Sequence, residues 1–461
     1  MGAYIEVTVP DMMQAREARF FMQQTMLARY PGAALVCLTM NVAGAVKTTP
    51  AIERAFAWGM ARIRAVLAGE RLLFEADIHE KTGPEAVFVF MGDAGEVKRR
   101  LCLLEDGTAM GRLLDIDVIQ PNGEKIARTQ IGLPARKCLL CGQDAPVCAR
   151  SRTHTVKELF ARTHEIIDTH FAAQYVKRTA QQAQRALLYE VAVAPKPGLV
   201  DRDNAGAHTD MDIFTFIDSA CALRDYFETC VQTGLDCREG KPQDCFDHLR
   251  TPGLLAEQAM KDATGGVNTH KGAIFSLGIY CAALGMGYDG GGSDTHAAFA
   301  RCSEMTRERM MQELALISTQ AARTFGEAIY KKSGIGGVRA EAASGFAAVR
   351  ESALPRLKQA LAAGLNLNDA GLCALVSLMA RTQDTNAVRR GGKKWADRMR
   401  ESAMGLDARI GGLLDERRLA GQMDSIRQTL MRWDEAMSEK GVSPGGCADL
   451  LALTLLAHFM E

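Results

Sequence analysis

Strand-type periodicity stops at about residue 160 and does not return. Before that point the signals alternate: a helical stretch ARFFMQQTMLARY, a strand-like run ALVCLTMNV, a second helix AIERAFAWGMARIRAVLA, then EAVFVFMG and GRLLDIDVIQ as strands. After it, apolar residues recur only at helical spacing, as in Ile167, Phe171, Tyr175, Ala180, Ala183, Leu187 and Val191. One mixed layer cannot produce such a break. The expected fold is therefore multidomain: an α+β unit over residues 1–163, then an all-α unit over residues 164–461. A length of 461 residues, too great for one ordinary core, agrees. The turn residues PNG at Pro121–Gly123, between DIDVIQ and EKIART, read as a hairpin and require at least one antiparallel pair. In the helical half the interruptions are PKPG, TGG, DGGGSD, RRGGKK and SPGG, with DGGGSD read as a connector.

Charge excludes some functions. Lys plus Arg and Asp plus Glu both total 55, so no global field draws the chain to nucleic acid or an anionic membrane. No apolar run approaches bilayer length, and MGAYIEVTVPDMMQ lacks a basic region followed by an apolar segment, so a cytoplasmic location is expected. Thirteen cysteines, including Cys221, Cys281 and Cys373 inside apolar helical patterns, point to reduced thiols rather than a disulfide framework.

In GRLLDIDVIQ, alternation sends Leu114, Ile116 and Val118 to one face and Asp115 and Asp117 to the other. Two adjacent carboxylates suit a divalent cation that also binds phosphate, although a solvated strand face has the same pattern. Cys138, Cys141, Cys148 and His154 follow with the spacing C-x2-C-x6-C-x5-H, enough ligands for tetrahedral zinc or, equally, buried thiols beside a helix start. Arg136, Lys137, Arg150 and Arg152 are interleaved with them and suit phosphates or a solvated basic rim.

NVAGAVK, GRLLDIDV, the R-x-C-L-L-C run and C-A-R-S-R-x-H, in this order over residues 10–160, resemble the citrate lyase holo-acyl-carrier-protein synthase family, also called apo-citrate lyase phosphoribosyl-dephospho-CoA transferase. The resemblance implies a nucleotidyltransferase-like domain. It would move a phosphoribosyl-dephospho-CoA group from a triphosphate precursor to a serine of the citrate lyase acyl carrier protein, releasing pyrophosphate. It also implies Mg²⁺ on Asp115 and Asp117, with Gly111, Arg112 and Lys47 near phosphates. Ala43 and Ala45 stand where that family usually has prolines.

The helical half opens on PKPGLVDRDNAGAHTDMD, in which Pro195 and Pro197 end the helix carrying Glu190 and Gly198 permits a sharp turn. Asp201, Asp203, His208, Asp210 and Asp212 crowd the loop. Asp210 and Asp212 also suit caps for a helix starting near Asp212. In ATGGVNTHKGAIFSLG, Thr264, Asn268, Thr269, His270 and Lys271 precede an apolar helix, where free N–H groups and a lysine make a phosphate seat. No Gly-x4-Gly-Lys-Ser/Thr spacing occurs.

With VRAEAASGF, QDTNAVRRGG and SPGGCADLL, these segments resemble the triphosphoribosyl-dephospho-CoA synthase family over about residues 165–461. That family's chemistry implies transfer of the triphosphoribosyl group of ATP to 3'-dephospho-CoA with release of adenine. Asp201, His208, Asp210 and Glu190 are then candidates for base or Mg²⁺ ligand. Lys196, Asn268, Thr269, His270 and Lys271 would bind substrate, with Arg339, Glu341, Asp384, Asn386 and Arg390 completing the pocket. Ala340 and Cys447 replace a usual glycine and serine. The rival readings are a metal-dependent nucleotide or ADP-ribose hydrolase, and a zinc-bearing binding module on a helical scaffold.

Overall fold

A computed structural model describes residues 4–319 and 325–461. These cluster into two compact units, one ending at Ala173 and the other beginning at Gln174.

The first unit runs α1 (Val9–Arg29), β1 (Ala34–Met40), α2 (Pro50–Leu67), β2 (Arg71–Glu80), β3 (Gly83–Met91), α3 (Ala94–Gly107), β4 (Leu114–Ile119), α4 (Ala145–Ser151) and the start of α5 (Val156–Ala192). Its four strands form one antiparallel sheet in the order β2-β3-β1-β4. One face packs Val36, Leu38, Phe88, Phe90, Ile116 and Val118 under Phe56 and Ile63 of α2 and Val97 and Leu101 of α3. The opposite face packs Leu35, Cys37, Val87 and Val89 under Met22, Met26 and Leu27 of α1. Burial on both sides explains why β1 and β3 read as unbroken apolar runs.

Asp115 and Asp117 pair in register with Thr39 and Cys37, on the α1 face, while Leu114, Ile116 and Val118 are buried opposite. The alternation is as expected. Pro121–Gly123 turns with Gly123 at φ 85°, and Gln120 N–H donates to Glu124 O at 2.9 Å, but only an isolated bridge, Ile119 to Lys125, follows. Strand β2 and helix α3 lie outside the expectation. Edge strand β2 is largely exposed and carries Arg71, Glu75, Asp77, His79 and Glu80, so charge hides its period.

The second unit continues α5, then α6 (Ile213–Ala222), α7 (Arg224–Asp236), α8 (Pro242–Ala263), α9 (Lys271–Met286), α10 (Thr295–Thr319), α11 (Phe325–Ser333), α12 (Gly337–Ala343), α13 (Leu354–Ala362), α14 (Leu367–Arg381), α15 (Thr385–Gly391), α16 (Lys393–Asp415), α17 (Met423–Glu439) and α18 (Gly445–Met460). Helices α9, α14 and α18 are buried nearly all round and pack with α18 against both others, because apolar residues occupy every face of each. The α5 stripe is buried at Ile167, Tyr175, Ala180, Ala183, Leu187 and Val191. Cys281 and Cys373 are buried, whereas Cys221 is exposed because α6 buries Ser219 and Ala220 instead. Asp212 caps α6, accepting from Thr215 N–H at 2.9 Å.

Gly111 is set by packing: a Cβ there would lie 2.0 Å from the Leu104 carbonyl oxygen of α3. Gly111→Ala is therefore expected to cost the first unit about 3 kcal/mol. In differential scanning calorimetry its unfolding transition should move down by several degrees while that of the helical unit stays in place.

Candidate active sites

In the helical unit, the N-terminal ends of α9 and α18 meet the loop after α5 around a cleft of about 290 Å³. Helix starts present unpaired N–H groups and the positive end of the macrodipole, a setting for anions. The loop is held by distant partners. Lys196 and Glu190 form a fully buried ion pair, and Asn368 brackets Ala194, accepting from its N–H and donating to its carbonyl at 2.9 Å each. Buried Asp434 accepts from Gly198 N–H at 2.8 Å and Asn204 Nδ2 at 2.9 Å. Gly198, at φ 67°, leaves room for the Val442 carbonyl, 2.3 Å from where a Cβ would stand.

The cleft gathers Glu190, Lys196, His208, Asp210, Asn268, Thr269, His270, Lys271, Asn386 and Arg390 from the expected set. A second cleft of about 390 Å³ shares Asn268, Lys271, Gly272, Asn386 and Asp449 with it and adds Glu341 and Asp384. Arg339 lines neither, and its Nε lies 3.4 Å from Glu313. Asp201 also lies outside. It accepts from the N–H groups of Lys196, Asp203 and Asn204 at 2.7, 2.8 and 3.0 Å, so it shapes the loop. Asp384 caps α15 through Asn386 and Ala387 N–H and accepts from Cys447 N–H at 3.0 Å, tying α15 to α18.

Three buried side-chain atoms lining the first cleft have no hydrogen-bond partner: His208 Nδ1, Thr269 Oγ1 and His270 Nε2. Each such atom costs about 1–3 kcal/mol, a penalty that a polar ligand removes. His208 Nε2 lies 3.1 Å from Ser443 Oγ, and Nδ1 is 3.7 Å from Asp210. Burial and the nearby Arg390 hold His208 below the usual histidine range, against the pull of Asp210. His270, bonded to Ser219 Oγ at 2.7 Å, is pushed by burial to about 3 and stays neutral.

Asp449 is the residue that pattern reading missed. Burial, then the carboxylates of Glu190 and Asp384, raise it well above the ordinary carboxylate value, although Ala273 N–H of α9 bonds to it. Gly272 makes this approach possible, because a Cβ there would lie 1.9 Å from Asp449 Oδ2. The signal was a lone acid inside the apolar run CADLLALTLL.

In the first unit a cleft of about 730 Å³ is lined by Asn41, Ala43, Arg112, Arg136, Lys137, Cys138, Cys148, Arg152, His154 and Val156 among others. Arg112 donates to the carbonyls of Lys137 and, at 3.1 Å, Cys138, while Arg136 Nη2 donates to Arg112 O and Leu114 O at 2.8 and 2.9 Å. Asp115 lies 3.6 Å from Arg136, at the side of this cleft rather than in its wall, and Asp117 pairs with Lys125 at 2.5 Å. Lys47 lies outside the wall and donates to Val42 O at 2.6 Å. The ligand atoms of Cys138, Cys141, Cys148 and His154 all fall within 4.8 Å of one another, the only such group of three or more among the described residues.

Among the described residues no helix is long and apolar enough to cross a membrane. Residues 7–170 match the family described as apo-citrate lyase phosphoribosyl-dephospho-CoA transferase, and residues 176–461 match ATP:dephospho-CoA triphosphoribosyl transferase. Protein CitXG of Haemophilus influenzae is 32% identical over 98% of this chain and 96% of its own length. Protein CitXG of Leuconostoc mesenteroides is 32% identical over 96% of the chain and 95% of its length. The 2-(5''-triphosphoribosyl)-3'-dephosphocoenzyme-A synthase of Pectobacterium atrosepticum is 40% identical over 60% of the chain and 88% of its length. None of these supports the hydrolase or binding-module reading. The chain belongs to the ATP:dephospho-CoA triphosphoribosyl transferase family, carries an apo-citrate lyase phosphoribosyl-dephospho-CoA transferase domain ahead of it, and is thus a bifunctional transferase for making and attaching the citrate lyase prosthetic group.

Proposed function

We propose that the helical cleft joins ATP to 3'-dephospho-CoA, with His208 as general base and Asp449 as general acid. The 2'-hydroxyl of dephospho-CoA attacks the anomeric carbon of the ATP ribose, forming a C–O bond as the C–N bond to adenine breaks. Neutral His208 takes the hydroxyl proton, and protonated Asp449 gives one to the departing adenine. Ser443 Oγ holds the His208 ring through Nε2, and the Asp210 carboxylate, 3.7 Å from Nδ1, faces the proton which that nitrogen takes up and adds negative charge near the oxocarbenium-like state. Lys271, Arg390, Asn268 and Thr269 hold the triphosphate at the start of α9. The carrying observation is that one cleft lines up His208, whose pKa burial holds down, with Asp449, whose pKa burial and neighbouring carboxylates push up, beside unpartnered buried polar atoms.

The product, 2'-(5''-triphosphoribosyl)-3'-dephospho-CoA, then serves the first unit. There a serine hydroxyl of the citrate lyase acyl carrier protein attacks the α-phosphorus and pyrophosphate leaves, with Arg112, Arg136, Lys137 and Arg152 facing the phosphates. Both steps belong in the cytoplasm, where thiols stay reduced. Mg²⁺ commonly enters with a polyphosphate and takes only one or two protein carboxylates, which the exposed Asp210 and the Asp115–Asp117 pair fit. When bound, it neutralises phosphate charge.

Adenine release should follow a bell-shaped pH profile. His208 is a base only above its lowered pKa, so the acid limb falls below pH 6.5, the ordinary histidine value. Asp449 donates only below its raised pKa, so activity declines again at higher pH. Asp449→Asn should cut kcat roughly 10²–10⁴-fold and abolish the alkaline limb. A variant with the parental profile would rule Asp449 out.

Separate loss of the two steps tests the division of labour. Asp210→Ala should lower adenine formation by about 10²-fold, read by chromatography, while transfer of added precursor to the carrier protein persists. Asp115→Ala should do the reverse. Parental rates for both steps in either variant would remove that residue from its site.

A further inference from the structure

We infer that Cys138, Cys141, Cys148 and His154 hold one structural Zn²⁺ ion that frames the phosphate-facing wall of the first unit's cleft. Their four ligand atoms already lie within 4.8 Å of one another, and Cys138 Sγ and Cys148 Sγ are 3.5 Å apart. A tetrahedral centre with Zn–S bonds of about 2.3 Å places its thiolates about 3.8 Å apart, so only small movements are needed. His154 Nε2 is buried without a hydrogen-bond partner, which metal ligation would supply.

The backbone is shaped for the task. Leu140 N–H points to Cys138 Sγ at 3.5 Å, and Cys138 N–H donates to Gln143 O at 2.8 Å, closing a tight knuckle between the first two cysteines. Arg152, at φ 49°, then bends the chain after α4 so that His154 returns to the cluster. Four protein ligands leave no open position, which makes the ion structural rather than catalytic. Three thiolates and a neutral imidazole around Zn²⁺ carry a net charge of about −1, which nearby Arg112, Arg136 and Lys137 offset. Arg136 and Lys137 directly precede the first ligand and Arg152 lies two residues before the last. The ion would thus fix the residues that face the transferred phosphates.

Zinc content and transfer rate can fail independently, so this inference does not stand or fall with the proposed reaction. The full chain, purified from zinc-supplemented medium, should retain about one zinc per chain by elemental analysis. After chelation, Co²⁺ added alone should give a thiolate charge-transfer band and the intense visible bands of a tetrahedral site. Cys141→Ser and His154→Ala should each reduce retained metal at least about tenfold, whereas Cys221→Ser, in the helical unit, should retain it fully. Removing the metal should lower transfer of added precursor at least about tenfold, reversibly with Zn²⁺, and leave adenine release unchanged. A chain that shows no thiolate band with Co²⁺ overturns the site. So does metal retained at the parental level in both Cys141→Ser and His154→Ala, or a thiol count short by two from a Cys138–Cys148 disulfide. Zinc whose removal leaves transfer unchanged overturns the framing role.

Discussion

The cleft of the helical unit depends on a charge pair placed where water cannot reach. Lys196 and Glu190 are about as buried as any of the described residues, and each would be untenable there without the other. Such a pair adds little net stability, because desolvation offsets most of the attraction, but losing one partner typically costs about 3–5 kcal/mol. Its contribution is therefore positional. It fastens the start of the acidic loop to the end of α5, and everything the loop carries toward the cleft, His208 and Asp210 included, takes its place from that attachment. Asn368 and Asp434 complete the fastening by satisfying loop backbone groups that would otherwise be buried unpaired.

Burial then sorts the acids. Asp201, Asp384 and Asp434 spend their oxygens on N–H groups of loops and helix starts, so their charge is committed to holding chain segments together. Asp449 also meets one N–H, yet two further carboxylates face it electrostatically, and a protonated form relieves that repulsion. Burial likewise holds the pKa of His208 and of His270 down. One environment thus moves a carboxylic acid and two histidines in opposite directions, the acid toward its protonated form and the histidines toward their neutral form.

Local pattern revealed much of this architecture. Strand periodicity is lost near residue 160, and among the described residues every strand lies before residue 120, while the alternation in GRLLDIDVIQ placed Asp115 and Asp117 on a common face. Ten of the expected substrate-site residues line one cleft. Edge strand β2 escaped because its charges break the two-residue period that marks a strand. Asp201 and Arg339 looked equivalent to their motif neighbours, yet one turned to backbone amides and the other to Glu313.

The amino-acid sequence by itself determined the order of the two units, the faces of their strands and helices, and the motifs that mark the family. All of these follow from spacing within a few residues, where side-chain direction repeats with the period of the backbone. Only the tertiary structure decided which acids reach the cleft, because that choice rests on contacts such as Gly198 with Asp434, 236 residues apart. No local period records such a meeting. It arises when separate helices pack, and packing also sets the burial that decides which group carries a proton.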